Sequence, residues 1–132
     1  MNLPLARVVR DNILKAPKRV NMDSFATAPC KDVCRSVGCI AGHVTFACGI
    51  TPYAMEHYIQ ESYDTVAAKL LVLSEKDAYD LFYFYGDFPN NPYNPYGSLT
   101  QALKKQRVGT KRYAQIVARA IKLCAELQGE TL

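Results

Sequence analysis

Residues 110–127 read TKRYAQIVARAIKLCAEL, and this stretch decides the fold class of the chain. Its apolar residues recur every three or four positions, which is the spacing of one face of an α-helix. Thr110 precedes the pattern and is a favourable N-cap residue. The apolar face consists of Tyr113, Ile116, Val117, Ala120, Cys124 and Leu127. The opposite, polar face consists of Arg112, Gln115, Arg119, Lys122 and Glu126. The stretch therefore predicts an amphipathic helix with one side buried.

The same spacing recurs along most of the chain, and strand patterns are nearly absent. Residues 3–15 show a first helical pattern, which Pro17 ends because proline has no backbone N–H. Residues 18–29 have no helical stripe, and Val20, Met22 and Phe25 predict a loop or short strand that packs on the core. Further helical patterns lie in 38–48, 51–62, 64–73, 74–85 and 98–106.

Capping residues mark where several of these helices begin and end. Thr51 followed by Pro52 predicts one start, and Ser74 and Ser98 each open a capping box. Gly49 predicts a C-terminal stop. Prolines and asparagines at 86–98 exclude regular helix and predict a long Pro/Asn/Tyr-rich loop. We therefore predict an all-α fold, a compact bundle of five to six helices, as a single domain over 1–132.

Composition bounds the class of protein. The chain has 132 residues, 49% hydrophobic and 21% charged, which is typical of a globular domain with a core of its own. The longest apolar stretch, 37–50, is too short to cross a bilayer, so we expect no membrane partner. Arg7, Arg10 and Asp11 stand where a signal peptide would need its apolar core, so we expect a cytoplasmic protein. Its five cysteines should then be reduced.

Charge is segregated along the chain. Residues 1–35 hold seven Lys and Arg against three Asp and Glu, a net +4. Residues 36–98 hold two against seven, a net −5, and residues 99–132 hold seven against two, a net +5. Either the blocks attract one another within the fold, which we favour, or they form a dipolar surface that steers a charged partner.

Four cysteines and a histidine cluster within nineteen residues. Cys30, Cys34, Cys39, His43 and Cys48 are spaced C-x3-C-x4-C-x3-H-x4-C. Cys30, Cys34, Cys39 and His43 can supply the four soft or imidazole ligands of a structural zinc site. Against zinc, the tight C-x2-C spacing is missing, and Cys39 and Cys48 also fit the pattern of a buried helix, where free cysteine acts as a small hydrophobe. We therefore expect that the protein binds no cofactor. Since neither histidine stands at a recognised spacing from a nucleophile, we assign no catalytic residue and do not favour an enzyme.

The run CRSVGCIAGH at 34–43, with AKLLVLS at 68–74 and Leu81-Phe82, resembles a group of small uncharacterised phage and bacterial proteins. That group carries a Cys-Gly-Thr-x-x-Cys-Ile/Leu-Ala-Gly-Trp/His stretch and a Leu-Gly-Leu-Ser/Thr helix start. This chain departs from it with Arg35, Ser36 and Val72 in place of Gly, Thr and Gly. The resemblance implies a mobile-element origin. Because the group has either Trp or His at the place of His43, it also implies that this histidine is no obligate ligand.

Two surfaces are candidates for binding. Lys104, Lys105, Arg107, Lys111 and Arg112 crowd into nine residues around Gly109, a cluster that either holds phosphates or is a solvated basic turn. The aromatic helix 74–85 and the stiff proline-rich loop after it suggest a protein-binding or self-association surface, on which we expect Tyr93 and Tyr96 to be exposed. The candidate contact residues on this surface are Tyr83, Tyr85, Tyr93 and Tyr96.

Taken together, these patterns predict a non-catalytic, phage- or mobile-element-encoded accessory protein that binds a host macromolecule. A host protein is the first expected partner, with the chain acting as an inhibitor or counter-defence factor in the host cytoplasm, and a homodimer is an open alternative. A nucleic-acid or nucleotide binder that uses the basic cluster is the second hypothesis, and a small structural-zinc module is the third.

Overall fold

The computed structural model describes residues 1–23, 38–86 and 94–132. Seven α-helices lie in these residues, and the only bridge between extended segments there pairs Val20 with Gly38. The predicted all-α fold is confirmed. The helices are α1 (Leu3–Lys15), α2 (Ile40–Ala47), α3 (Pro52–His57), α4 (Tyr63–Leu71), α5 (Glu75–Phe82), α6 (Gly97–Lys104) and α7 (Lys111–Leu127).

The last helix, α7, organises the core. Thr110 caps it as predicted, since the Thr110 side chain accepts a hydrogen bond from the N–H of Tyr113. The helix packs against α1, α5 and α6. Fully burying residues such as Ile116 and Val117 contributes about 1.5–3 kcal/mol each. Leu127, assigned to the buried face, is instead 54% exposed at the last position of the helix.

The first helix is held at its start by one asparagine. The Asn2 side chain accepts a hydrogen bond from Leu5 N–H at 3.2 Å and so caps α1. The same side chain donates to the carbonyl of Leu70 at 3.2 Å, and Asn2 N–H donates to the carbonyl of Leu71 at 2.7 Å. One residue therefore satisfies free backbone groups at the start of α1 and at the end of α4.

Between α1 and α2 the chain makes a 3₁₀ turn at Pro17–Arg19 and a short extended piece. Val20 and Met22 are buried, as the sequence predicts, whereas Phe25 lies outside the described residues. Gly38 N–H donates to the Arg19 carbonyl, and Asn21 N–H donates to the Gly38 carbonyl, both at 3.0 Å. These bonds fix the position of the segment beside α2.

One predicted helix start is wrong. We expected Ser98 to cap α6 through a capping box, but the helix begins at Gly97 without a side-chain cap. The turn before it is set by Asn94, whose side chain accepts from Tyr96 N–H at 3.0 Å. The Thr100 hydroxyl, which has a single proton, lies within hydrogen-bond distance of the Tyr96 and Phe84 carbonyls, and its contact with Phe84 ties α6 to the residues after α5. Tertiary contacts, and not the local capping signal, decide where this helix starts.

The end of α4 carries backbone strain. Val72 has φ +56°, a left-handed conformation, and no other non-glycine residue in the described ranges has a positive φ. Val72 N–H donates to the Lys69 carbonyl and Leu73 N–H to the Ala68 carbonyl, which is the Schellman arrangement that normally takes glycine. The Val72 side chain is 68% exposed, so little burial offsets the strain.

Replacing Val72 with glycine is expected to stabilise the protein by about 1 kcal/mol, because a left-handed conformation costs an L-residue roughly 1–2 kcal/mol. Urea unfolding of the wild type and of Val72→Gly measures the difference. Val108→Gly is the control, since Val108 is also exposed but has no positive φ, and it should be neutral or slightly destabilising. A Val72→Gly protein that unfolds at lower urea concentration than the wild type would contradict the strain argument.

Candidate functional site

The turn between α6 and α7 presents the basic cluster to solvent. Lys104 ends α6, Lys105 follows it, and Lys111 and Arg112 are the first two residues of α7. These four side chains and Arg107 are all exposed. The structure therefore places all five residues of the predicted cluster at one turn.

The backbone of this turn is fixed by its own hydrogen bonds. Gln106 N–H donates to the Leu103 carbonyl at 3.0 Å, and the Thr110 hydroxyl donates to the Arg107 carbonyl at 2.8 Å. Leu103 is buried and anchors the turn to the core. Gly109 has φ +89°, a backbone conformation that would be strained in any residue with a side chain. The basic side chains thus project from a defined loop.

A second basic segment, distant in sequence, lies against this turn. The Cα of Lys18 in the 3₁₀ turn is 4.0 Å from the position that a Cβ on Gly109 would occupy. Nearby, Met22 N–H donates to the Tyr113 hydroxyl at 2.9 Å, which fastens the same segment to the first turn of α7. Lys18 is exposed. We use "basic surface" for Lys18, Lys104, Lys105, Arg107, Lys111 and Arg112.

The charges of the basic surface are largely uncompensated. Within the described residues, Lys18, Lys105, Arg107, Lys111 and Arg112 form no ion pair with an acidic side chain. The first turn of α7 holds no acidic residue, although the positive end of a helix dipole favours one there. One acid, Asp23, lies close enough to the Tyr113 phenol to help burial raise its pKa. An anion at this surface would therefore meet several cations.

The acidic block, residues 36–98, contains ion pairs between its own residues. Lys69 pairs with Glu61 at 2.7 Å, and Lys76 pairs with Asp80 at 3.6 Å. In the N-terminal block, Arg10 pairs with its neighbour Asp11 at 3.0 Å. None of these three pairs joins a basic block to the acidic one. Both interpretations of the charge blocks, internal attraction and a dipolar surface, therefore stay open.

The structure describes three of the four tyrosines predicted to form a partner surface. Tyr96 was expected to be exposed, and this is wrong: its side chain is 2% exposed and stacks on Phe84, with the ring centroids 6.0 Å apart. Tyr83 and Tyr85 are half-buried, with centroids 6.3 Å apart. Tyr93 lies outside the described residues.

Tyr83 has a partner that the sequence did not reveal. Its hydroxyl donates to one carboxylate oxygen of Asp64, across the open end of the α4–α5 hairpin. Burial, followed by this hydrogen bond, raises the pKa of the Tyr83 phenol above its ordinary range. The phenol therefore keeps its proton and acts as the donor. No local spacing signals this pair, because the two residues stand nineteen positions apart on different elements.

His43 is a buried core residue. Its side chain is 3% exposed, and its Nε2 lies 2.8 Å from the Arg19 carbonyl, to which the neutral ring donates. Burial lowers the pKa of His43 to about 4. The His43 ring also meets the Phe46 ring edge-on, and the Arg19 guanidinium lies over the Phe46 ring, 5.9 Å from its centroid. His43 thus joins α2 to the 3₁₀ turn.

The zinc hypothesis stays a prediction, because Cys30 and Cys34 lie outside the described residues. Within the described ranges, no three His, Cys, Asp or Glu side chains stand close enough to hold a metal. Cys39 is buried, and burial raises the pKa of its thiol. Cys48 was expected to be buried and is instead exposed, because α2 ends at Ala47 and the chain turns at Gly49.

Comparison with protein-family models, with curated proteins and with solved structures finds no match for this chain. The resemblance to small phage and bacterial proteins therefore stays a prediction. In the part of the chain that the structure describes, no helix is both long enough and apolar enough to span a bilayer. We accordingly infer function from the geometry of the surfaces alone.

Proposed function

We propose that this protein is a non-catalytic accessory protein that binds nucleic acid through the phosphates. The observation that carries the proposal is the basic surface, where Lys18 joins five basic side chains from a segment more than eighty residues later in the chain. Phosphate contacts by Lys and Arg supply most of the non-specific affinity for nucleic acid. This was the second hypothesis from the sequence, and the exposure of all six side chains now favours it.

The chemistry of the surface suits a phosphate backbone and not a base edge. Arg107 and Arg112 offer planar guanidinium groups that match two phosphate oxygens, whereas the lysines act as mobile point charges. Contacts to phosphates orient a duplex but carry no sequence information. We therefore expect binding that depends weakly on sequence and steeply on salt.

The salt dependence of binding to a short DNA duplex tests the proposal. We expect the slope of log K against log salt to fall in magnitude by about 0.9 for each phosphate contact removed. Lys18→Gln, Arg107→Gln and Lys111→Gln should each reduce the slope by about this amount. Lys18→Gln is the most informative, since its effect depends on the approach of the 3₁₀ turn to Gly109.

Lys76→Gln is the matched control, because it removes one positive charge from an exposed residue of the acidic region, where Lys76 pairs with Asp80. It should leave the slope unchanged. If Lys76→Gln and Lys18→Gln changed the slope equally, the binding would depend on the net charge of the protein and not on the basic surface. Absence of binding to the duplex and to single-stranded RNA even at low salt would overturn the proposal.

A host protein partner is a second candidate, and one observation supports it. Tyr79, Tyr83 and Tyr85 form a row of rings, with centroids 4.8 and 6.3 Å apart, and Tyr79 is 55% exposed. Half-exposed aromatic residues are common in protein interfaces. For the self-association form of this candidate, light scattering should detect a dimer that Tyr79→Ser disrupts. A monomer at all concentrations would contradict self-association.

We propose the host cytoplasm as the place of action. Within the described ranges, the thiols of Cys48 and Cys124 form no disulfide bond, which is compatible with a reducing compartment.

A further inference from the structure

A groove of about 730 Å³ runs between α4 and α5, on a part of the molecule other than the basic surface. Ala68, Leu73, Ala78 and Phe82 give it an apolar lining, and Ala68 and Ala78 are small enough to leave the space between the helices unfilled. Asp64, which accepts the hydrogen bond of the Tyr83 hydroxyl, lines the groove near one end. The turn that contains Val72 joins the two helices at the other end.

The groove has a negative charge of its own. Lys69 and Lys76 stand on its rims, but each is already paired with an acid, Glu61 and Asp80 respectively. Asp64 and Glu75 also line the groove, and neither forms an ion pair with a described residue. The uncompensated charges along the groove are therefore both acidic.

Asp64 has an unused acceptor. One carboxylate oxygen accepts from the Tyr83 hydroxyl, but the other, Oδ1, is buried and has no hydrogen-bond partner among the described residues. A buried charged oxygen without a donor is unfavourable, so native proteins rarely leave one. Tyr83 has only one proton to give, so it cannot serve both oxygens. Asp64 Oδ1 is therefore an unused acceptor beside the groove that Asp64 lines, and a cationic N–H group is a suitable donor for it.

We propose that this groove receives a basic amphipathic segment of a partner protein. Apolar side chains of that segment pack on Ala68, Ala78 and Phe82, and a lysine or arginine donates to Asp64 Oδ1. Helices that lay an apolar face in a groove are a recurrent mode of peptide recognition. The charges that flank the groove select a basic segment over an acidic one.

Two synthetic amphipathic peptides of equal length and leucine spacing test the proposal, one with lysine and one with glutamate on the polar face. The full chain, labelled on alanine methyl groups, reports binding by NMR shifts. We expect the lysine peptide to shift the Ala68 and Ala78 methyl signals, and the glutamate peptide to bind at least tenfold more weakly.

Two variants locate the contact. Asp64→Asn removes the charge but keeps an oxygen for Tyr83, and we expect it to weaken the lysine peptide about tenfold. Ala68→Leu fills the groove and should abolish binding without an acidic residue being touched. Glu56→Gln is the control, because Glu56 is exposed and carries the same charge outside the groove. Circular dichroism checks that each variant is folded.

Equal weakening by Glu56→Gln and Asp64→Asn would overturn the proposal, since it would mean general attraction to the acidic block. Equal binding of both peptides, or shifts confined to signals outside the groove, would overturn it too. The outcome is separable from the proposed function, because Asp64→Asn should leave binding to a DNA duplex unchanged. Lys18→Gln should conversely leave the affinity for the lysine peptide unchanged.

Discussion

Tyr96→Ala is expected to lower the free energy of unfolding by about 3–5 kcal/mol, the range for deleting a large buried aromatic side chain. The ring of Tyr96 is buried and stacks on Phe84, so its removal leaves a cavity that the helices cannot readily fill. Tyr96 N–H and the Tyr96 carbonyl also belong to the turn that starts α6. Urea or thermal unfolding followed by circular dichroism measures the loss.

Two further variants interpret that result. Tyr79→Ala removes the same side chain from a 55% exposed position and should cost about 1 kcal/mol or less. Tyr96→Phe keeps the ring and removes only the hydroxyl, which lies near the buried Cys124 thiol, so we expect a loss of about 1 kcal/mol or less. If Tyr96→Ala cost no more than Tyr79→Ala, Tyr96 would be a surface residue after all, as the sequence pattern had suggested.

Acidification is expected to destabilise the protein through His43. The pKa of His43 is about 4 in the folded protein and 6.5 in a model peptide. Because the folded value is the lower one, the unfolded chain binds more protons between these values, so stability falls as the pH drops from 6.5 towards 4. The contribution from His43 is about 2 kcal/mol lost at pH 5 and about 3 kcal/mol at pH 4.

Carboxylates also titrate in acid. Variants are therefore needed to isolate the contribution of His43 to the stability difference between pH 7 and pH 5. His43→Gln should flatten the pH dependence of unfolding by about 2 kcal/mol across this interval, although its stability at pH 7 is lower. The same substitution at the exposed His57 on α3 controls for the loss of a histidine as such. If the stability of His43→Gln depended on pH as strongly as that of the wild type, His43 would not be buried as a neutral imidazole in the folded protein.

Local patterns predicted the helices best. Thr51, Ser74 and Thr110 cap their helices as expected, because a cap depends on residues within three positions of it. Ser98 fails the same rule, since the position of α6 is decided by Asn94 and by the burial of Tyr96. The exposure of Cys48 and Leu127 likewise follows from where α2 and α7 end, a boundary that periodicity defines only loosely.

The candidate surfaces were predicted in part. The five basic residues near Gly109 are contiguous in sequence, and counting charges was enough to find them. Lys18 belongs to the same surface only because a 3₁₀ turn packs on α7, a long-range contact that no spacing rule encodes. The Asp64–Tyr83 pair and the groove beside it depend on how α4 and α5 cross, and so they appear only in three dimensions.

Because the basic surface and the acidic block retain separate charges, neighbouring molecules in dilute buffer present unlike poles to each other. Such attraction either pairs two molecules in an antiparallel arrangement or joins them head-to-tail into rings and open chains. Salt at 0.1 M screens this attraction between charges that are more than about 10 Å apart. The protein should thus salt in near neutral pH, and it should adhere to both cation- and anion-exchange resins despite its net charge of +4.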